Sequence, residues 1–123
     1  MSSNQATNIS NRNTCLLKQA AKTVWPGLSI YCASKSAVCA ITKSMAHELG
    51  SKVRVNCVCP TLMETAMTQG SIERLSAVAL DRQSVKQLML PEEAANAVLF
   101  LSSSKATMIH GENLNVDYGY LCT

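Results

Sequence analysis

Aromatic residues, charged residues and long apolar runs are all scarce in this 123-residue sequence. Aromatic side chains make up 4% of it, too few for a platform on which nucleic-acid bases stack. The net charge is +3, and the lysines and arginines are scattered rather than clustered. No apolar run approaches the roughly 20 residues that a membrane-spanning helix requires. The composition therefore predicts neither a nucleic-acid-binding protein nor a membrane protein.

A glycine-rich phosphate-binding turn is also missing from the sequence. The five glycines are far apart, at Gly27, Gly50, Gly70, Gly111 and Gly119, so neither G-x-G-x-x-G nor a P-loop can be written. Because such a turn cradles the phosphates of a nucleotide, its absence counts against a complete nucleotide site within these 123 residues.

The cysteines show neither a disulfide framework nor a zinc pattern. The sequence has two histidines and no C-x-x-C, and the six cysteines are Cys15, Cys32, Cys39, Cys57, Cys59 and Cys122. We therefore expect reduced, mostly buried thiols and no metal site. Such thiols are typical of an intracellular protein, and we expect a cytoplasmic location.

The N-terminal segment, residues 1–25, is predicted to be an irregular or disordered leader that precedes a domain at 26–123. Residues 1–24 show no sustained hydrophobic period, although 15–22 could form a short helical turn. No acidic residue precedes Glu48, whereas Arg12, Lys18 and Lys22 lie among Ser, Asn, Gln and Thr residues. A mitochondrial targeting segment is therefore the alternative interpretation.

The rest of the chain alternates between helical and strand patterns. Apolar residues recur at helical spacing from about Ser29 to Leu49, around enough of the helix to predict burial on more than one side. Residues 52–60 form an apolar, β-branched run typical of a parallel strand covered on both faces. A short helix around 72–80, a helix that begins at Pro91 and a strand that contains Leu114 and Val116 follow. This order predicts an α/β fold with a parallel sheet.

One pair on the first helix suggests chemistry. Tyr31 and Lys35 are four residues apart and therefore share a helix face. A tyrosine has an unperturbed pKa of about 10, which is high for proton transfer at neutral pH. A lysine ammonium nearby would lower that pKa, and the tyrosine could then exchange a proton with a carbonyl or an alcohol. An ordinary exposed helix pair is the alternative.

The surrounding sequence decides between these interpretations. Residues 29–67, SIYCASKSAVCAITKSMAHELGSKVRVNCVCPTLMETAM, resemble the short-chain dehydrogenase/reductase family. Its Y-x-x-x-K motif corresponds to Tyr31 and Lys35, and its R-V-N-x-V-x-P strand begins at Arg54. The segments PEEAANAVLFLSS and GENLNVDYG resemble the last helix and strand of the family. The sequences YCASK and CPT resemble the branch of carbonyl and L-xylulose reductases.

The resemblance implies a partial Rossmann-like, doubly wound sheet and a role for several residues. Tyr31 would be the catalytic acid/base, and Lys35 would lower its pKa and hydrogen-bond the ribose of NADP or NAD. The backbone after Pro60, through Leu62, would face the nicotinamide, and Thr65 would lie near it. Residues 65–90 would form a mobile substrate lid. The implied substrate is a small carbonyl or alcohol, and the implied assembly is an oligomer with itself or with a full-length relative.

Several features depart from the family pattern. The family has about twice this length, and its cofactor-binding first half is not in these 123 residues. Asn8-Ile9-Ser10 resembles the family's N-I-S, but Ser10 precedes Tyr31 by 21 residues instead of about 12 or 13, the family's spacing for its catalytic serine. Three interpretations stay open: an inactive oxidoreductase fragment, an enzyme completed by another chain, or a non-catalytic module that binds a full-length relative.

Overall fold

The computed structural model describes the backbone of residues 11–16, together with residues 22–50, 52–66, 68–70 and 72–122. These residues form an α/β fold with a parallel sheet in the order β1-β2-β3. The strands are β1 (Asn11–Leu16), β2 (Val53–Pro60) and β3 (Asn113–Val116), and the helices are α1 (Ser29–Leu49), α2 (Ile72–Arg82) and α3 (Pro91–Ser102). The predicted fold class is confirmed.

Strand β2 is the centre of the sheet. Its register runs from Asn11↔Val53 to Leu16↔Val58 with β1 and from Cys57↔Asn113 to Pro60↔Val116 with β3. Every residue of β2 after Val53 is buried. The apolar run in the sequence therefore has the predicted cause, because a central parallel strand is covered on both faces.

Strand β1 differs from the predicted irregular leader. Residues 11–16 pair with β2 in parallel, although their sequence, NRNTCL, shows no alternation or apolar run. Pairing with the backbone edge of a distant strand stabilises them, and a local pattern does not report such a contact. Residues 1–10 and 17–21 lie outside the described residues, so the rest of the predicted leader, and its boundary at residue 25, stay a prediction.

Helix α1 packs against β2 with one face. Thr42 and Ala46 are buried on that face, whereas Ile30, Ile41 and Met45 are 85%, 51% and 37% exposed. The helix ends at Gly50, which has a φ of +42° and donates its amide to the Ala46 carbonyl at 3.1 Å. The described residues therefore do not show the predicted burial of α1 on more than one side. A covering second subunit stays a prediction.

Helix α3 covers the opposite face of β2, and a buried arginine joins the two elements. Arg54 is 2% exposed. It donates to the carbonyls of Leu101 at 2.7 Å and Ile109 at 3.1 Å. A guanidinium at the C-terminus of α3 satisfies carbonyls that the helix leaves unpaired and complements its dipole. Cys57 and Cys59 pack on the α1 side, so the alternation of side chains along β2 separates two helical layers.

The segment between β2 and α3 is anchored by an aromatic cluster. Leu62 and Ala79 form a buried core with Tyr120, whose ring lies 6.3 Å from that of Trp25 in a stacked arrangement. The Arg82 guanidinium lies 5.4 Å from the centre of the Tyr120 ring. The predicted helix around 72–80 is thus α2, held against the C-terminal turn. Within the described parts of the chain, no helix combines the length and apolar character needed to cross a membrane.

Candidate active site

Helix α1 runs in the opposite direction to β2, and two sets of contacts fix this orientation. Near the end of α1, a ring nitrogen of His110 lies 2.7 Å from the Ala46 carbonyl, and its other ring nitrogen accepts from the Val55 amide at 3.1 Å. Halfway along α1, Cys39 packs against Cys57 and Cys59. The start of α1 therefore lies beyond the carboxyl end of β2.

Tyr31 and Lys35 lie in the first two turns of α1, so they share this edge with the residues that follow β2. Lys35 is about 6 Å and Tyr31 about 12 Å nearer the helix start than Cys39. Two to four residues of extended chain beyond Cys59 cover about the same distance. In open α/β sheets, ligands bind at the carboxyl edge of the strands. The segment from Pro60 to Leu62 and the Tyr31–Lys35 pair thus lie where this rule places a site.

The geometry of the pair differs from the sequence expectation. The Lys35 ammonium nitrogen lies 5.5 Å from the centre of the Tyr31 ring, which is a cation–π arrangement. Burial, together with the nearby thiol of Cys32, raises the pKa of Tyr31. The predicted lowering by Lys35 is therefore wrong in this structure. The Lys35 ammonium lies over the ring face, and the desolvation of the half-buried phenol disfavours the phenolate.

The segment after β2 is ordered by a threonine that sequence reasoning did not identify. The Thr65 amide donates to the Thr68 hydroxyl oxygen at 2.9 Å, and that hydroxyl lies 2.9 Å from the Met63 carbonyl. Thr68 is 4% exposed. A hydroxyl that bonds nearby backbone groups is typical of a local turn, so the T-x-x-T spacing of Thr65 and Thr68 was the available signal.

A buried glutamine joins the end of β2 to the segment that the resemblance identified as a lid. Gln83 is 1% exposed. It accepts from the Thr61 hydroxyl at 2.7 Å and donates to the carbonyls of Val85 and Gln87 at 3.0 and 2.8 Å. Leu62 is also buried, and its carbonyl accepts from the Met89 amide at 3.3 Å. No sequence pattern distinguishes this glutamine from an exposed one.

The predicted site residues are therefore only partly brought together. Pro60 and Leu62 are buried at the end of β2, and Thr65 is half-buried in the turn that follows. Tyr31 and Lys35 lie at the same edge of the sheet. Ser10 lies outside the described residues and stays a prediction. Among the described residues, no three His, Cys, Asp or Glu side chains are arranged to hold a metal ion.

Comparison with known proteins places this geometry in a family. A family model described as enoyl-(acyl carrier protein) reductase matches residues 12–121. L-xylulose reductase of Mesocricetus auratus is 40% identical over 108 residues, covering 85% of this chain and 44% of the relative. Carbonyl reductase (NADPH) 2 of Sus scrofa is 38% identical over 102 residues, covering 80% and 42%.

A solved structure shares the architecture. The gluconate 5-dehydrogenase of Burkholderia cenocepacia, solved in complex with NADP and tartrate, superposes with a TM-score of 0.86 at 21% identity. The match covers 93% of this chain and 46% of that one. The chain thus spans less than half the length of the curated relatives that it matches. By sequence and by fold, the chain belongs to the short-chain dehydrogenase/reductase family.

Proposed function

We propose that this chain supplies the acid/base part of an NAD(P)(H)-dependent site that interconverts a small carbonyl compound and an alcohol. The observation that carries the proposal is the position of Tyr31 and Lys35 beyond the carboxyl end of β2. The names of the relatives support it, since they include carbonyl reductase (NADPH) 2 and L-xylulose reductase.

Tyr31 is the group that moves the proton. Because the unperturbed pKa of a tyrosine is about 10, its hydroxyl is protonated at neutral pH and can donate to a carbonyl oxygen. Lys35 would place a positive charge near the developing phenolate and would donate to the ribose of a bound cofactor.

The residues at this edge fit the nicotinamide half of the cofactor. Pro60, Leu62 and Thr65 follow the central strand, and Lys35 offers a donor for the ribose hydroxyls. A bound nicotinamide would supply or accept the hydride. The 123 residues contain no glycine-rich turn for the pyrophosphate, so the fit is to NADP or NAD without a preference. We therefore propose that these residues alone bind the cofactor weakly and do not turn over.

The alternative is a non-catalytic module that associates with itself or with a full-length relative. Two helices carry exposed apolar side chains that favour it: Ile30 and Ile41 on α1 are 85% and 51% exposed, and Leu99 and Phe100 on α3 are 67% and 44% exposed. Apolar side chains grouped in this way mark surfaces that become covered by another protein.

A cytoplasmic location fits both functions. The five cysteines whose side chains are described, at positions 32, 39, 57, 59 and 122, are free thiols, as in a reducing compartment. Fractionation of cells that express the tagged chain separates this proposal from a mitochondrial one.

The deciding experiment is a fluorescence titration of the purified chain with NADPH and NADH, followed by turnover of a small dicarbonyl. Tyr31→Phe removes the proposed acid, and Tyr118→Phe, the matched control, removes a tyrosine hydroxyl that donates to Glu93 of α3 instead. We expect weak binding and no turnover from the chain alone. When a full-length relative with its own Tyr→Phe change is added, we expect turnover that Tyr31→Phe abolishes and Tyr118→Phe preserves. Stable co-purification without restored turnover would instead support the interaction module.

A further inference from the structure

Three cysteines meet at the interface between α1 and β2. Cys57 and Cys59 are fully buried on the face of β2 that α1 covers, and the half-buried Cys39 of α1 packs against them. The three thiols are close enough for the ionisation of Cys59 to depend on both neighbours. These three residues, which we call the thiol cluster, take no part in the proposed acid/base chemistry.

The surroundings of the thiol cluster shift the pKa values of Cys59 and Cys39 in opposite directions. The hydrogen bond from Cys57, the charge of Lys22 and the hydrogen bond from Cys39 lower the pKa of Cys59 to about 7, against burial and the charge of Glu112. Burial and the neighbouring Cys59 raise the pKa of Cys39, although Lys22 and Lys43 act in the opposite direction. Ionisation is therefore favoured at Cys59 over Cys39.

Two residues of β3 hold Lys22 in place near the thiol cluster. Its ammonium donates to the Asn113 carbonyl at 2.5 Å and to Oδ1 of Asn115 at 2.6 Å. Both acceptors belong to β3, next to the strand that carries Cys59. The positive charge near the thiol cluster is thus fixed by two hydrogen bonds and does not depend on a freely moving side chain.

We propose that Cys39 and Cys59 are a redox-active dithiol, which a hydroperoxide oxidises to a disulfide that links α1 to β2. Cys57 is a poorer partner for Cys59. The Cα atoms of two residues separated by one position in a strand are about 6.6 Å apart, near the upper limit for a disulfide. Cys39 approaches from a separate element, and it is the member that solvent reaches.

The chemistry balances with the hydroperoxide as the only added reagent. Cys39 passes its proton to the neighbouring Cys59 thiolate, and its sulfur attacks the peroxide oxygen. The O–O bond breaks, Cys39 becomes a sulfenic acid, and the hydroxide or alkoxide that leaves takes a proton from solvent water to become water or an alcohol. The Cys59 sulfur then attacks the Cys39 sulfur, so that the S–O bond breaks and the hydroxyl leaves as water with the Cys59 proton. The dithiol loses two electrons, and the peroxide gains them.

The disulfide would connect the two elements that form the candidate site. Cys39 lies two turns after Tyr31 on α1, and Cys59 directly precedes Pro60 on β2. Oxidation would therefore fix the spacing between the helix that carries the acid/base pair and the end of the strand. This inference rests on the thiol cluster and holds whether or not the chain turns over.

Peptide mapping of the folded full chain tests the proposal. Cys122→Ser removes the exposed thiol and with it most intermolecular crosslinking. After limiting hydrogen peroxide, alkylation and non-reducing trypsin digestion, we expect peptide 36–43, with Cys39, joined to peptide 55–74, with Cys57 and Cys59. Dithiothreitol should release both peptides. Cys59→Ser should abolish the link, whereas Cys57→Ser, and Cys32→Ser on the same helix, should leave it.

Several results would overturn the proposal. One is a link from Cys39 that survives in Cys59→Ser but is lost in Cys57→Ser; another is a link to the peptide that contains Cys15. A Cys57–Cys59 disulfide within one peptide, or an equal yield of the Cys39–Cys59 link in urea, would also contradict it. So would a Cys39 that stays reduced in the wild-type chain at peroxide concentrations that oxidise Cys122. The wild-type mapping is decisive even where a variant fails to fold.

Discussion

The two ends of β2 are both buried, but different kinds of contact hold them. At the amino end, side chains of the strand reach far along the chain: Arg54 donates to the carbonyls of Leu101 and Ile109, and Asn56 also donates to Ile109. At the carboxyl end, Thr61 contacts Gln83, and Tyr31 approaches from α1 with its lysine. The first end is closed by the chain itself, whereas at the second we propose that Tyr31 and Lys35 stay available for a ligand.

The amino end should be the more sensitive to mutation. Replacing Arg54 by methionine removes a buried cation and leaves carbonyls at the end of α3 without a donor. We expect a loss of about 2–4 kcal/mol in the free energy of unfolding, measured by urea denaturation. Arg54→Lys keeps the positive charge but loses the several N–H donors of the guanidinium. Its free energy of unfolding should therefore lie between those of the wild type and Arg54→Met. A loss below about 1 kcal/mol for Arg54→Met would show that this end is not held as described.

At the carboxyl end, the contact between Thr61 and Gln83 should contribute less to the free energy of unfolding than Arg54 does. Gln83→Leu and Thr61→Val each break the buried hydrogen bond between these residues. We expect each change to cost about 1–3 kcal/mol, because it leaves a buried polar group unpaired. In a double-mutant cycle the effects should be non-additive by about 0.5 kcal/mol or more. Additive effects would mean that the two side chains do not contact each other in solution.

A hydrogen bond between α3 and the C-terminal turn should make the stability of the protein depend on pH. The Tyr118 hydroxyl donates to Glu93 at 2.6 Å. This bond, with the Leu90 amide, lowers the pKa of Glu93, and the same bond raises the pKa of Tyr118. The stabilisation is therefore present above the unfolded pKa of Glu93 and is lost as the pH falls through its lower folded value. It is also lost as the pH rises through the raised folded pKa of Tyr118.

Tyr118→Phe tests this window. The melting temperature of the variant should be lower than that of the wild type near neutral pH, and the two should converge in acid. Glu93→Gln is the matched change on the other partner. In a Glu93→Gln background, the effect of Tyr118→Phe on the melting temperature should lose most of its dependence on acid pH. A difference that stays constant from acid to neutral pH would exclude the hydrogen bond as its source.

The smallest effect on stability is expected at the pair itself. Tyr31→Phe and Lys35→Met change half-buried side chains, so both should alter the free energy of unfolding by less than about 0.5 kcal/mol. Any restored turnover should nevertheless disappear. A large loss of stability from Tyr31→Phe would place this residue with Arg54 as a structural one, and the contrast between the two ends of β2 would fail.

The sequence predicted the elements whose residues carry a local pattern. The helical period from Ser29 to Leu49 and the apolar run that ends at Pro60 correspond to α1 and β2. Strand β1 was missed because its stabilisation comes from a partner 42 positions later in the chain, Asn11 pairing with Val53.

The candidate site was predictable to a similar extent. A short motif on one helix was enough to single out Tyr31 and Lys35. The direction of the Tyr31 pKa was not predictable, because it depends on how deeply the packed chain buries the ring. Gln83 was missed for the same reason, since only the tertiary structure makes that side chain buried.

The parallel pairing of the three strands has a consequence for the order of events in folding. Asn11 pairs with Val53, and Cys57 pairs with Asn113, so each strand contact closes a loop of several tens of residues. During synthesis, β1 cannot pair with β2 until residue 58 has been made, and β2 cannot pair with β3 until residue 116 has been made. Contacts so distant in sequence are typical of folding over milliseconds to seconds rather than microseconds. Until β3 is made, the edge of β2 that pairs with it stays open, and an unpaired strand edge is prone to aggregation.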